Sequence, residues 1–237
     1  MTKLNGEYKL YALNRPKAAI SEAFRMLRTN LVFANVDGDL QTILFTSCGP
    51  QEGKSTIISN LSVVLAQTGD KVLLMDCDLR KPVQHEVFGL SNETGLTRYL
   101  TGYCSWEEAV QQTEVPNLSV LTSGPIPPNP AELVGSKGMD KLMELLRGAY
   151  VTILIDAPPV LAVADPAILA VKSDGVIMVV RSGVTKTAAL KEAREMMEKT
   201  GSRVIGIVLN DAGFHGHHYY KRYSKYYKSY YRHYSQE

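Results

Sequence analysis

Six short apolar runs, at 42–46, 71–75, 118–121, 151–155, 175–180 and 204–209, are separated by helical patterns, and within the runs apolar residues follow one another without polar alternation. A strand wetted on one face alternates apolar with polar residues, so continuous runs such as Val72-Leu73-Leu74-Met75 predict strands covered by helices on both faces. Helical periodicity over 54–67, 137–147 and 186–199, with Gly69 and Gly201 placed to close two of these helices, supplies the crossovers. The expected fold is α/β, a doubly wound, mostly parallel sheet with helices on both faces. Residues 124–130, Gly-Pro-Ile-Pro-Pro-Asn-Pro, read as a stiff loop.

Directly after the first run comes Ser47-Cys48-Gly49-Pro50-Gln51-Glu52-Gly53-Lys54-Ser55-Thr56, and then a helix. Phosphate binding needs closely approaching backbone N–H groups, a helix N-terminus, a lysine for the outer phosphates and a hydroxyl for Mg²⁺. Gly49, Pro50, Gln51, Glu52, Gly53, Lys54, Ser55 and Thr56 are therefore the expected nucleotide loop of a P-loop NTPase-like domain. The usual first glycine of the pattern is Cys48 here, with glycine one place later.

Two other strands end in acids, the second in Met75-Asp76-Cys77-Asp78-Leu79-Arg80 and the fourth in Ile155-Asp156-Ala157-Pro158-Pro159. In a parallel sheet the C-terminal strand ends gather at one edge, the edge that also carries the loop. Alternation along extended backbone sends Asp76 and Asp78 to the same side and Cys77 away. Mg²⁺ takes one or two carboxylates with phosphate and water oxygens, so Ser55, Asp156 and one of Asp76 and Asp78, here Asp76, are the expected metal set.

The 237 residues suit one α/β domain with a short tail. Eight of the thirteen tyrosines fall in the last nineteen residues, at Tyr219, Tyr220, Tyr223, Tyr226, Tyr227, Tyr230, Tyr231 and Tyr234, with no Leu, Ile, Val or Met among them. Phenols and cations without aliphatics build no core, so this segment is expected to be solvated. Five of its cations face one acid from residue 215 onward, which gives +4 there and leaves −2 for the rest of a +2 chain. Tyr219, Tyr223, Tyr226, Tyr230 and Tyr234 also recur at a spacing that would form one stripe of a helix. Cys48, Cys77 and Cys104 have neither metal-like nor disulfide-framework spacing and fit a reducing compartment. No run reaches the length of a membrane span, so a membrane role is expected to come through a partner.

The loop, the Asp76-to-Arg80 stretch, the Asp156-Ala157-Pro158-Pro159 strand end and the tyrosine cluster together resemble a bacterial tyrosine kinase of the capsule and exopolysaccharide type, in its Gram-positive cytoplasmic form. In that family the three motifs are Walker A, Walker A′ and Walker B. The resemblance implies ATP and Mg²⁺ as cofactors, and the enzyme's own tyrosine cluster as phosphoacceptor. It implies a domain over 1–213 and an autophosphorylation tail over 214–237. Glu22-Ala23-Phe24-Arg25-Met26-Leu27-Arg28 is similar to the family's Glu-x-x-Arg-x-x-Arg signature. That likeness makes Glu22, Arg25 and Arg28 contacts of a ring-like homo-oligomer, such as an octamer, on a helix over about 18–34. The spacing of Ile20, Ala23, Phe24, Leu27 and Leu31 gives that helix a separate apolar face, and an internal Glu22–Arg25 pair is the alternative use of those charges.

Further implied partners are a transmembrane adaptor of the chain-length-regulator type, a tyrosine phosphatase and other protein substrates, with no nucleic acid. The expected location is cytoplasmic, at the inner face of the membrane. A phenol with a pKa near 10 needs a base at neutral pH, a role assigned to Asp76 with Asp78 assisting, while Lys54 neutralises the transferring phosphoryl group. Asn210, ending the last strand, lies where relatives of this nucleotide-binding class often contact adenine, which makes an adenine contact the implied role and a turn asparagine the alternative. Two rivals share the same site: a switch ATPase of the cell-division or partition type, which usually has lysine at the position of Gly49 and no tyrosine cluster, and a non-catalytic nucleotide-dependent scaffold.

Overall fold

The computed structural model describes residues 10–35 and 38–212. The tyrosine cluster lies outside the described residues. The predicted strands form as β1 (Thr42–Ser47), β2 (Val72–Asp76), β4 (Leu118–Leu121), β5 (Thr152–Asp156), β6 (Gly175–Arg181) and β7 (Val204–Asn210). Sequence reading missed β3 (Val110–Gln112), because three residues carry no period. The sheet order is β3-β4-β2-β5-β1-β6-β7, with every pair parallel except β3 on β4.

The helices are α1 (Tyr11–Asn14), α2 (Ala19–Ala34), α3 (Lys54–Ala66), α4 (Gln84–Phe88), α5 (Leu96–Leu100), α6 (Trp106–Ala109), α7 (Pro130–Val134), α8 (Lys137–Ala149), α9 (Asp165–Val171) and α10 (Thr187–Lys199). Gly69 (φ 101°) and Gly201 (φ 77°) follow α3 and α10 in the left-handed region, as closing residues do. The proline-rich segment is a loop up to Asn129, but Pro130 is the first residue of α7, where its fixed φ suits a helix and its missing N–H costs nothing.

Two cores explain the continuous runs. Leu44, Leu73, Met75, Ile153, Ile155, Val176 and Met178 pack under α7 to α10, while Ile43, Phe45, Val72, Leu74, Leu154, Ile177 and Val179 pack under α1 to α3. Alternate residues of one apolar run thus serve opposite cores. The two helices that cover them differ accordingly: α8 buries one stripe, Met139, Leu142, Met143 and Leu146, and α3 is buried nearly all round between the sheet and α1 and α2.

The expectation of two covered faces fails for β7. Among the described residues it pairs with β6 alone, it contains a register shift, and its Ile207 and Leu209 are 49% and 57% exposed. An edge strand can carry an apolar run without the second cover that an interior strand needs. The apolar face expected on α2 is also narrower than its spacing implied, since Phe24 and Leu31 are buried but Ile20 and Ala23 are exposed.

Candidate active site

Residues 48–53 link β1 to α3. Gln51 (φ 61°) and Gly53 (φ 92°) both adopt left-handed backbone, which at Gln51 is tolerated at a cost and at Gly53 is required twice over. A Cβ at Gly53 would lie 2.0 Å from Asn210 Nδ2. Asn210 donates that amide to the Glu52 carbonyl at 2.9 Å. Glu52, expected among the nucleotide contacts, has its carboxylate folded into the loop: it accepts from the Cys48 N–H at 2.9 Å and from the Thr185 hydroxyl. The loop is thereby stapled to the turn between β6 and α10. Burial, and then Glu52, push the Cys48 thiol up to about 11, and Cys77 is raised well above its ordinary value by burial first, so neither is a thiolate nucleophile at neutral pH.

Strand order brings the acids to the loop. β5 lies between β1 and β2, and Asp156 is the register partner of Asp76. Lys54 Nζ donates to Asp156 Oδ1, donates to Ser55 Oγ at 3.1 Å and lies 3.9 Å from Asp78 Oδ2. Burial alone would lower Lys54; Asp156 and then Asp78 outweigh it, and the net shift is upward. Asp76 is wholly buried, with Oδ2 accepting from the Val83 and Gln84 N–H groups, both at 2.9 Å. Burial, and then Asp156, push Asp76 up to about 7 despite those donors. Burial also raises Asp78, with Lys54 opposing and Asp156 adding to the shift. Asp78, at 8% exposed, sits nearer the rim and accepts from the Lys81 N–H at 3.1 Å.

These donors fit a hard cation. Among the described residues no group of three His, Cys, Asp or Glu side chains forms a complete metal site. Mg²⁺ needs none, since it completes its shell with phosphate oxygens and water. Two carboxylates and the Ser55 hydroxyl beside a phosphate loop are the donor types it takes.

Comparison with known proteins places this geometry. A family model described as an AAA domain matches residues 49–205. Tyrosine-protein kinase YwqD of Bacillus subtilis (strain 168) is 45% identical over 212 residues, 90% of each chain. The chain belongs to the bacterial tyrosine-protein kinase family. The solved kinase domain of the Escherichia coli tyrosine kinase ETK superposes on this kinase with a TM-score of 0.83 at 33% identity, covering 86% of this chain and 80% of that one. The septum site-determining protein MinD from Pyrococcus horikoshii OT3, solved with Mg-ADP, gives a TM-score of 0.64 at 25% identity over 73% of this chain and 71% of that one.

In the kinase the Glu22–Arg25 pair forms within α2 at 2.6 Å, Arg25 also donates to the Pro16 carbonyl at 2.6 Å, and Arg28 donates to the Val64 carbonyl at 3.0 Å. Lys54, Asp76, Asp78 and Asp156 come together as the spacing implied. Gln84, Thr185 and the Arg80–Asp165 pair escaped sequence reading, although all bear on the site. Arg80 grips the buried Asp165, at the start of α9, through two bonds of 2.9 and 3.0 Å, which holds the turn after Asp78 against α9. The Arg80 half of this pair stood in the Walker A′ stretch and was a visible signal; its distant partner was not.

Proposed function

We propose that the kinase binds ATP with Mg²⁺ at the loop 49–56 and transfers the γ-phosphoryl group to tyrosines of its own 219–234 cluster, mainly between subunits. The observation that carries this reading is the buried Lys54 ammonium between Asp156 and Asp78, at the mouth of a phosphate loop, in a chain with eight tyrosines between residues 219 and 234.

Lys54 and the N-terminus of α3 bind the phosphates and neutralise charge on the transferring group. Ser55, Asp76 and Asp156 would hold Mg²⁺, which would supply electrostatic stabilisation of that same charge. Asp76 takes the phenol proton, and Asp78 at the rim assists in positioning. The O–P bond to tyrosine forms as the bond from the γ-phosphorus to the bridging oxygen breaks, leaving ADP, with the phenolic proton on the carboxylate. Asn210 lies beside the loop, where an adenine contact is compatible with its bond to Glu52.

Glu22, Arg25 and Arg28, with the exposed Ile20, Met26, Val32 and Phe33 of the same helix, support a self-assembly surface on α2. Among the described residues no helix is long and apolar enough to cross a membrane. Membership of the bacterial tyrosine-protein kinase family is what supports recruitment to the inner membrane face by a transmembrane adaptor, in the service of capsule or exopolysaccharide synthesis. A tyrosine phosphatase and further protein substrates complete the cycle.

Incubation of purified protein with Mg-ATP, followed by phosphotyrosine blotting, tests the proposal. The signal is expected from wild type and to vanish with Lys54→Met or with truncation after Gly213. ATP hydrolysis without phosphotyrosine, in the presence of an adaptor peptide, would favour the switch ATPase suggested by the likeness to MinD. Nucleotide binding with neither outcome would leave a scaffold.

A further inference from the structure

Gln84 is fully buried at the first position of α4 and touches three elements of the site at once. Its main-chain N–H donates to Asp76 Oδ2 at 2.9 Å, its Nε2 donates to Asp156 Oδ2 at 2.6 Å, and its Oε1 faces Ser59 Oγ at 2.7 Å. Ser59 lies one helical turn after Ser55 and also reaches the Ser55 carbonyl, at 2.5 Å. Asp156 settles which way the amide points. A carboxylate oxygen accepts only, so Nε2 must face it, and Oε1 is left for the serine hydroxyl.

We propose that Gln84 is the positioning residue of the cation site, a role that rests on the nucleotide-binding reading above. It occupies one oxygen of each strand-end carboxylate from behind. Asp156 is left with Oδ1, the oxygen that meets Lys54, and Asp76 with Oδ1, which receives a single long N–H contact of 3.3 Å from Asp78. A neutral amide suits this place: an acid would add a fourth negative charge to a buried cluster, and an ammonium or guanidinium would compete with the incoming cation. Through Ser59 the same amide ties the carboxylates to α3, so the Ser55 hydroxyl and the two acids are held in one frame.

The test is calorimetry of ADP binding with and without Mg²⁺, alongside the melting temperature of the nucleotide-free protein. Wild type is expected to bind ADP more tightly with Mg²⁺; if it shows no such gain, the nucleotide-site reading itself fails. Gln84→Met keeps the volume and removes the side-chain bonds. It is expected to leave metal-free ADP affinity within about twofold and to cut the Mg²⁺-dependent gain by about tenfold or more. Ser59→Ala, which removes the Oε1 partner together with the hydroxyl contact to the Ser55 carbonyl, should cut that gain by a few-fold and covers the case in which Gln84→Met does not fold. A folded Gln84→Met with the full Mg²⁺-dependent gain overturns the proposal. So does an equal loss of ADP affinity with and without the metal, or, if Gln84→Met does not fold, a Ser59→Ala protein that keeps the full gain.

Discussion

The side-chain amide of Asn210 bonds the Glu52 carbonyl at 2.9 Å, so the last parallel strand is fastened to the phosphate loop 158 residues earlier in the chain. The amide stands where any side chain at residue 53 would have to go. Loop geometry in this kinase is therefore a property of β1 and β7 together.

Gly53→Ala is expected to abolish ADP binding in calorimetry, and Gly53→Ala with Asn210→Ala to recover part of it. Removing the amide relieves the clash but not the left-handed backbone, which costs a β-carbon about 1–2 kcal/mol. Asn210→Ala alone should weaken ADP binding by a few-fold, since it frees the loop without blocking it.

Asp76→Asn should stabilise the nucleotide-free protein at alkaline pH. A carboxyl whose folded value lies near 7, above its ordinary 3.8, contributes its stability below about pH 4 and loses it as pH rises through 7. The asparagine cannot ionise, so the expected gain is roughly 2–4 kcal/mol at pH 8 and less than half of that at pH 5. Urea melts at the two pH values check it; equal gains would mean that Asp76 is not the titrating group. Phosphotyrosine formation by the same variant should be lost.

Lys54→Met should show the opposite sign. The substitution leaves Asp156, Asp78 and Asp76 without the ammonium that offsets them, and breaking such a buried pair costs about 3–5 kcal/mol. Thermal melts at pH 8 should show the loss, and melts at pH 5, below the raised value of Asp76, a smaller one.

Arg80→Ala should destabilise the kinase by roughly 1–3 kcal/mol, because Asp165 stays buried without its partner, and Arg80→Lys should recover little. The lysine restores charge but not the two-pronged geometry that joins the turn after Asp78 to α9. If Arg80→Lys melts like wild type, charge alone holds this joint.

Phosphorylation of the tyrosine cluster should loosen self-assembly. Each phosphotyrosine adds about −1.5 to −2 charges, so two or three cancel or reverse the +4 of the terminal segment. Sedimentation of multiply phosphorylated and unphosphorylated samples at equal concentration should give the smaller species for the former, and equal sizes would refute the switch.

Much of this site was legible before any folding. Gly53-Lys54-Ser55 follows a β-strand and opens a helix, and Asp76 and Asp156 end apolar runs, so a parallel sheet had to bring them to one edge. Lys54 reaches Asp156 and approaches Asp78 for that reason. The sequence was a poor guide wherever a residue's role depends on its position across the sheet. The run at β7 matches the interior strands in composition, yet Ile207 and Leu209 face solvent because β7 is last in the strand order. Ile20 and Ala23 share a helical spacing with Phe24, yet only Phe24 meets the core.

Local chemistry, then, determined by itself that this chain makes a two-faced parallel sheet with a phosphate loop and acids at its carboxyl edge, because strand period, glycine freedom and lysine–phosphate attraction act over a few residues. Tertiary structure alone decided that Gln84 stands behind Asp76 and Asp156, that Thr185 and Asn210 brace the loop, and that Arg80 finds Asp165. An amide or hydroxyl carries no signature of its partner in sequence. It acquires one when the sheet closes and each buried donor and acceptor must be satisfied by whatever the fold has placed beside it.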